Sequence, residues 1–135
     1  MTFVVDASVA ACWLLPDEGR SAAVLAYERF PDDTAIVPSL WWFEMRNIFV
    51  TSERRGRIDP ARTALALNLL RGLPIRVDVA TDEDLLLTLA RRHGLTAYDA
   101  AYLELALCRG VPLASLDEAL LRAARVEGVT IIEGG

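Results

Sequence analysis

Short apolar runs rich in β-branched residues recur along the chain. They alternate with longer stretches in which apolar residues are separated by regular polar intervals. Runs of this kind, bounded by polar or turn-forming residues, are typical of buried strands. Five segments show the pattern: 3–5, 35–37, 75–77, 112–114 and 129–132. The sequence therefore predicts a strand at each of them.

Between these runs, apolar residues recur three and four positions apart, which indicates amphipathic helices. Three helix starts carry capping signals: Asp59 before Pro60, Thr81 with Asp84, and Thr96 with Asp99. Helix ends are marked by glycines: Gly56, Gly72, Gly94, Gly110 and Gly128. Helices are thus expected to fill the segments between the strands.

The alternation of strand and helix predicts an α/β protein, a three-layer α/β/α sandwich whose mostly parallel sheet is covered by helices on both faces. The 135 residues, 53% of them hydrophobic, suit a single domain spanning 1–135. Parallel sheets place ligand sites at the carboxyl ends of their strands. Residues that bind a ligand or catalyse a reaction are therefore expected at that edge of the sheet.

The composition bears on three questions: membrane insertion, the redox state of the cysteines, and zinc binding. Charged residues interrupt the apolar stretches within about ten residues, short of the roughly 20 that a membrane span needs, so no span is expected. Cys12 and Cys108 lie in apolar helical patterns, where a buried thiol behaves as a small hydrophobe. Neither has a second Cys or a His at ligand spacing, and His93 is the only histidine. We expect a reduced, cytoplasmic protein without a zinc site.

Three acidic residues lie where strands end or helices begin. Asp6 directly follows the first strand, Asp117 follows the fourth, and Asp99 comes three residues after Thr96. Each has a structural alternative that the sequence leaves open. Asp6 and Asp117 could cap the helices that follow them, the latter with the help of Arg125, and Asp99 could belong to a capping box.

Glu44 is harder to explain structurally, because it lies in a helix whose neighbours at 40–45 are mostly large and apolar. Burying an ionised carboxylate costs several kcal/mol unless a cation or hydrogen bonds compensate it. Arg46 points to a different helix face, whereas Asn47, three residues on, could hold the carboxylate in place. Glu44 therefore has the weakest structural explanation of the four acids.

One edge of the sheet could gather Asp6, Glu44, Asp99 and Asp117. Clustered carboxylates repel one another, and a hard divalent cation with oxygen ligands resolves the repulsion. Mg²⁺ keeps several waters and leaves room for a phosphate oxygen. The expected cofactor is Mg²⁺ or Mn²⁺, and the chemistry that this set favours is phosphodiester hydrolysis.

Four segments resemble the PIN-domain ribonucleases and, among them, the VapC-like toxins of prokaryotic toxin–antitoxin modules. They are 3–8 with Asp6, Glu44 with Asn47 in an E-x-x-N pattern, 96–103 around Asp99, and 113–117 ending in Asp117. Each is weak alone. Together, in this order and over nearly the whole chain, they form a specific resemblance.

This resemblance implies an α/β/α sandwich, metal-dependent endoribonuclease activity, a homodimer, and a cognate antitoxin whose tail fills the active-site groove. It assigns metal-ligand roles to Asp6, Glu44, Asp99 and Asp117, with supporting roles for Ser8, Asn47 and Ser115. Ser115 stands where the family often has Thr, and it keeps the hydroxyl.

The net charge of −5 argues against a passive nucleic-acid binder, since such proteins carry a surplus of basic side chains. Bound metal would neutralise several acids, so the arginines need only be dense locally. Two groups are candidate RNA-facing patches, with a solvated surface as the alternative for each: Arg54, Arg55 and Arg57, and Arg91, Arg92 and His93. We also expect one of Trp13, Trp41 and Trp42 at an interface, although large aromatics at helical spacing are more often core.

Other functional classes lack their required residues. Receiver domains and haloacid-dehalogenase-like phosphatases need a lysine, and all 14 basic residues here are arginine. The glycine motifs of dinucleotide and P-loop nucleotide binding are also missing. The remaining alternative is a catalytically inactive PIN-like module that binds RNA or a protein, and the presence of all four acids argues against it.

Overall fold

The computed structural model of the protein describes residues 1–15 and 21–133. Its strands are β1 (Thr2–Val5), β2 (Thr34–Val37), β3 (Ile75–Val77) and β4 (Leu113–Ala114). Its helices are α1 (Ala7–Leu14), α2 (Ser21–Tyr27), α3 (Leu40–Arg54), α4 (Pro60–Arg71), α5 (Glu83–His93), α6 (Ala97–Arg109) and α7 (Glu118–Val126). The predicted alternation of strand and helix is confirmed.

The four strands form one sheet in the order β3-β2-β1-β4, and every neighbouring pair is parallel. The chain moves in one direction from β1 to β3 and then crosses back to β4. Because such crossovers are right-handed, this reversal places helices on both faces of the sheet. The α/β/α sandwich is therefore confirmed, with its topological switch point between β1 and β4.

The fifth predicted strand, at 129–132, is wrong as a strand. Ile131 makes an isolated parallel bridge to Leu113, whose N–H and C=O hydrogen-bond with Thr130 and Ile132. Pairing extends no further because β4 is only two residues long. Beyond Ala114 the chain turns toward Asp6, as described below.

Capping signals placed most helix ends correctly. Asp59 caps α4 with Pro60 in its first turn, and Thr96 caps α6 by accepting from the Asp99 N–H at 3.1 Å. The start predicted at Thr81 is wrong by one residue, since Asp82 is the N-cap of α5. The reason is tertiary: the buried Glu104 of α6 accepts the Asp82 N–H at 2.9 Å and fixes that residue.

The core lies on both sides of β1 and β2, whose apolar residues are almost fully buried, as expected of parallel strands covered on both faces. The burial expected for Cys108 is wrong, because this residue lies in the last turn of α6 and is exposed. Although the residue as a whole is exposed, partial desolvation of its thiol and the hydrogen bond that the thiol donates to the Glu104 carboxylate raise the pKa of Cys108 to about 11. In the described part of the chain, no helix has both the length and the apolar character needed to cross a membrane.

Candidate metal centre

Asp6 lies at the switch point, directly after β1, and is 6% exposed. Its Oδ1 accepts from the Val9 N–H at 3.1 Å, so it is also the N-cap of α1. Ser8 Oγ donates to the same oxygen at 2.6 Å, and Ser115 Oγ donates to Oδ2 at 2.5 Å. The capping role and a place in the crevice are therefore compatible.

The two serines join the loop after β1 to the loop after β4. Ser8 Oγ accepts the Leu116 N–H at 3.0 Å, and Ser115 Oγ accepts the Asp117 N–H at 3.0 Å. Each hydroxyl thus receives a backbone N–H from one loop and donates to the Asp6 carboxylate. This network fixes Asp6 at the carboxyl ends of two neighbouring strands.

Glu44 reaches the same crevice from the first turns of α3 and is half-buried. Its Oε1 accepts a hydrogen bond from the hydroxyl of Tyr102, a buried residue of α6. Within residues 1–15 and 21–133, no hydrogen bond joins Glu44 to Asn47, which is exposed. The support that the sequence suggested for Glu44 therefore comes from Tyr102 in the structure.

Tyr102 is the residue that sequence reasoning missed. A signal was available, because Tyr102 lies three residues after Asp99 and so on the same side of α6. Its hydroxyl could have been paired with an acid at the same edge. What the sequence did not give is the identity of that acid, which comes from a different helix.

Asp99 and Asp117 are half-buried, unlike Asp6. Asp99 is in the first turn of α6, one turn before Tyr102. Asp117 is the N-cap of α7 and accepts the Leu120 N–H at 3.0 Å. The suggested help from Arg125 is not seen, because that guanidinium pairs with Glu133 at 3.2 Å.

The electrostatics link all four acids. Burial raises the pKa of Asp6, Glu44 and Asp99 above their ordinary values. The charge on Asp117 raises the pKa of Asp6 and of Asp99 further, and the charges on Asp6 and Asp99 do the same to the pKa of Glu44. The serine hydroxyls lower the pKa of Asp6, and the Tyr102 hydroxyl lowers that of Glu44. The crevice therefore holds mutually repelling carboxylates that a cation would stabilise.

The crevice offers oxygen donors of the kind that a divalent cation needs. In the described ranges, no three acidic, histidine or cysteine side chains converge into a ready-made metal cluster. Carboxylates that repel one another spread rather than converge. The donors themselves fit Mg²⁺ or Mn²⁺, because the crevice offers carboxylate and hydroxyl oxygens and no sulfur or imidazole ligand.

The sequence matches the family model of the PIN domain over residues 3–126. The chain belongs to the PIN domain family. The matched range contains all four acids, Ser8, Ser115 and Tyr102. No curated protein sequence matches this PIN domain.

Solved structures share its fold. PAE2754 of Pyrobaculum aerophilum has a TM-score of 0.73 and 24% identity, over 98% of this chain and 92% of that one. VapBC2 of Rickettsia felis, bound to a DNA fragment from its promoter, has a TM-score of 0.70 and 12% identity, over 100% of both chains. VapC20 of Mycobacterium tuberculosis, a toxin that cleaves the sarcin–ricin loop, has a TM-score of 0.58 and 15% identity, over 90% and 94%. The TM-scores show a common fold, and at identities below 25% the likeness extends to the fold alone.

The two arginine groups have different surroundings, and the first lies away from Glu44. Arg54 ends α3, and Arg55 and Arg57 follow it in an exposed turn. Ten residues separate Glu44 from Arg54, or roughly 15 Å along the helix. In the other group, Arg92 and His93 both pair with Glu127, at 2.7 and 2.6 Å. An RNA-facing role for Arg54, Arg55 and Arg57 stays a prediction.

The three tryptophans of this PIN domain have different surroundings. Trp41 is buried in the core, and Trp13 is half-buried in an edge-to-face cluster with Tyr27 and Phe30. Trp42 is 47% exposed, with the Arg46 guanidinium 3.6 Å from its ring centroid. Trp42 is therefore the tryptophan most available to a partner.

Proposed function

We propose that this PIN domain is a Mg²⁺- or Mn²⁺-dependent endoribonuclease that acts as the toxin of a toxin–antitoxin pair. One observation carries the proposal. The four carboxylates that the family resemblance marks as ligands are electrostatically coupled at the switch point of the sheet, where α/β proteins bind their ligands.

Asp6, Glu44 and Asp99 would hold the principal cation, and Asp117 would hold the same ion or a second one. When bound, the cation would neutralise charge on the scissile RNA phosphate and lower the pKa of a water that attacks it. The raised pKa of three of these acids supports cation binding, because burial and, to a smaller extent, the neighbouring carboxylates make their ionised form unfavourable in the crevice.

The chain's own side chains would hold the ligands in place. Ser8 and Ser115 fix both oxygens of Asp6, and Tyr102 fixes one oxygen of Glu44 and leaves the other available. Asp99 and Asp117 are more exposed, so they form the side of the crevice that substrate would approach. A half-exposed rim above a buried carboxylate is an arrangement suited to a bulky phosphodiester.

The toxin role is supported by solved structures that share this fold. Structures that share it include VapBC2, the sarcin–ricin loop cleaving toxin VapC20, and a toxin–antitoxin complex from Klebsiella pneumoniae. By analogy we propose a cognate antitoxin, a homodimer and action in the cytoplasm on cellular RNA. Expression of the chain alone should arrest growth, and co-expression of a short neighbouring gene should restore it. Undisturbed growth at high expression would contradict the toxin role.

Cleavage of total RNA by purified protein tests the catalytic proposal. We expect cleavage with Mg²⁺ or Mn²⁺, none with EDTA, and a loss of at least roughly 100-fold in Asp6→Asn and in Asp99→Asn. The asparagines keep size and capping ability while removing the charge. Asp59→Asn, an exposed cap of α4 outside the crevice, is the matched control and should cleave normally. Equal cleavage by Asp6→Asn would remove Asp6 from the mechanism.

If the protein is instead an inactive binding module, the same experiments should give the opposite result. Such a module would bind RNA or a protein without cutting, and its affinity would not depend on Mg²⁺. Metal-independent binding together with intact RNA after long incubation would favour it over the nuclease.

A further inference from the structure

A second pocket lies on the other side of α3 from Glu44. It has a volume of about 210 Å³ and is bounded by Trp41, Trp42 and Arg46 of α3, Arg71 at the end of α4, and Ile75 and Val77 of β3. We call it the tryptophan–arginine pocket. A space smaller than the roughly 300 Å³ typical of drug-sized ligands suits a single ring or phosphate.

One residue that lines this pocket carries an unpaired donor. Trp41 is only 5% exposed, and its Nε1 is the one buried side-chain nitrogen or oxygen of the described residues that has no hydrogen-bond partner. Indole N–H groups usually find an acceptor when buried, and an unpaired one carries a cost. Trp41 therefore lines the pocket, and its indole N–H is buried without a hydrogen-bond partner among the described residues.

Two positively charged side chains, Arg46 and Arg71, line the pocket without an acidic partner. No carboxylate of the described residues lies within ion-pair distance of Arg46 or Arg71. Arg46 donates instead to the Trp42 carbonyl at 3.2 Å. Both side chains line the pocket, and burial and, to a smaller extent, repulsion by the charge of Arg71 lower the pKa of Arg46. An anion between them would relieve that repulsion.

A flat recognition surface completes the pocket. The Arg46 guanidinium stacks on the exposed Trp42 ring, 3.6 Å from its centroid, and Phe43 meets the same ring edge-on. Guanidinium planes and indole rings are the surfaces on which proteins stack unpaired RNA bases. An acidic peptide would use the two charges, but it would leave this stacked surface without a function.

We infer that the tryptophan–arginine pocket binds one nucleotide of single-stranded RNA, with a phosphate between Arg46 and Arg71 and the base on the Arg46–Trp42 stack. This inference deepens the proposed function and rests on RNA being the substrate. Arg46 lies two positions after Glu44, which places the two residues about 160° apart around α3. The pocket therefore does not take part in cleavage; it would hold a nucleotide that neighbours the scissile site, with the strand crossing the first turn of α3.

The three indole N–H signals of ¹H–¹⁵N NMR spectra provide the test. The protein is titrated in EDTA with a six-nucleotide single-stranded RNA, so that metal-dependent cleavage does not proceed, and the signals are assigned with Trp→Phe variants. We expect the Trp41 and Trp42 signals to shift and saturate together. Trp13 lies in a separate aromatic cluster with Tyr27 and Phe30, so its signal should stay in place as an internal control.

Arginine variants then test the ligand set. Arg46→Ala and Arg71→Ala should each weaken the RNA affinity about tenfold, whereas Arg122→Ala, an exposed arginine of α7, changes the net charge equally and should leave the affinity near that of the wild type. Equal affinity in all three variants, or RNA binding without a Trp41 shift, would overturn the inference. An oligoglutamate peptide that shifts the same signals as strongly would show a site for protein acids instead.

This experiment is independent of the catalytic proposal. Asp6→Asn should abolish cleavage and still show the Trp41 and Trp42 shifts. Shifts without any cleavage by the wild type would contradict the nuclease and preserve the pocket. Cleavage without these shifts would preserve the nuclease and contradict the pocket.

Discussion

At the scale of single residues, Tyr102 holds the Glu44 carboxylate in place and affects its pKa. Its hydroxyl donates to Glu44 from across the crevice, 58 positions away in the chain. Burial raises the pKa of Glu44, and this hydrogen bond opposes the rise. The carboxylate of Glu44 and the hydroxyl of Tyr102 therefore act as a pair, with the tyrosine as a positioning residue.

Replacing Tyr102 with Phe removes only that hydroxyl. We expect cleavage to fall by roughly 10- to 100-fold, the range for partners of metal ligands, and stability to fall by about 1 kcal/mol. Because the pKa of Glu44 rises further, the acidic limb of the pH–activity profile should move to higher pH. The measurement is the profile in Mg²⁺, with Tyr98→Phe, an exposed residue of α6, as control. An unshifted acidic limb would contradict the positioning role.

At the scale of elements, one side chain often serves both the local fold and the site. Asp6 caps α1, Asp117 caps α7, and Asp99 lies in the first turn of α6. Capping stabilises a helix whether or not a cation is bound, so a cap signal in the sequence neither supports nor excludes a metal ligand. The two roles separate only when charge and capping ability are changed independently.

Asp117 allows that separation. Asp117→Ala removes the cap and should lower the free energy of unfolding by about 1 kcal/mol. Asp117→Asn keeps the cap and removes a charge that raises the pKa of Asp6 and Asp99, so its stability should match or exceed that of the wild type. Denaturant unfolding measures both variants, with Asp82→Ala and Asp82→Asn at the cap of α5 as the matched pair. We expect both Asp117 variants to lose cleavage. Full activity in Asp117→Asn would leave Asp117 as a cap alone.

At the scale of the whole molecule, the fold gathers negative charge at one edge of the sheet of a protein that already carries a net charge of −5. The raised pKa of Asp6, Glu44 and Asp99 means that their ionisation opposes folding in the absence of a cation. The stability that these groups contribute is therefore present below their unfolded pKa, near 4, and is lost as the pH rises through their folded values.

This linkage predicts a pH-dependent stability that Asp6→Asn changes. In EDTA, the wild type should lose more stability than the variant between about pH 4 and pH 7.5. Glu127, whose pKa is lowered mainly by Arg92 and His93, acts in the opposite direction but equally in both proteins. Thermal unfolding followed by circular dichroism measures the difference. Parallel curves for the two proteins would contradict the electrostatic account.

Metal addition should reverse the loss. At pH 7.5, Mn²⁺ at about 100 times its dissociation constant should stabilise the wild type by roughly 2.7 kcal/mol and Asp6→Asn by much less. Ca²⁺, which also prefers oxygen ligands, provides a second test of metal binding. In this test the change in Tm is measured and cleavage is not. A Tm that does not respond to Mn²⁺ would favour the inactive binding module.

The sequence by itself determined what depends on neighbours within a helical turn or along a strand. The four strands, the caps at Asp59 and Thr96, and an acidic set without sulfur or imidazole donors could all be read from local patterns. The predictions made from the sequence were wrong where a residue distant along the chain determines the local structure. Glu104 of α6 fixes Asp82 at the start of α5, and the shortness of β4 prevents a fifth strand at 129–132.

Only the tertiary structure decided which groups meet. Ser115 donates to Asp6 across 109 residues, and Tyr102 rather than Asn47 supports Glu44. The tryptophan–arginine pocket likewise requires α3, α4 and β3 together. The physical reason is the crossover that reverses at β1, which brings the ends of β1 and β4 side by side and packs α6 against both strands. Local spacing carries no information about that juxtaposition.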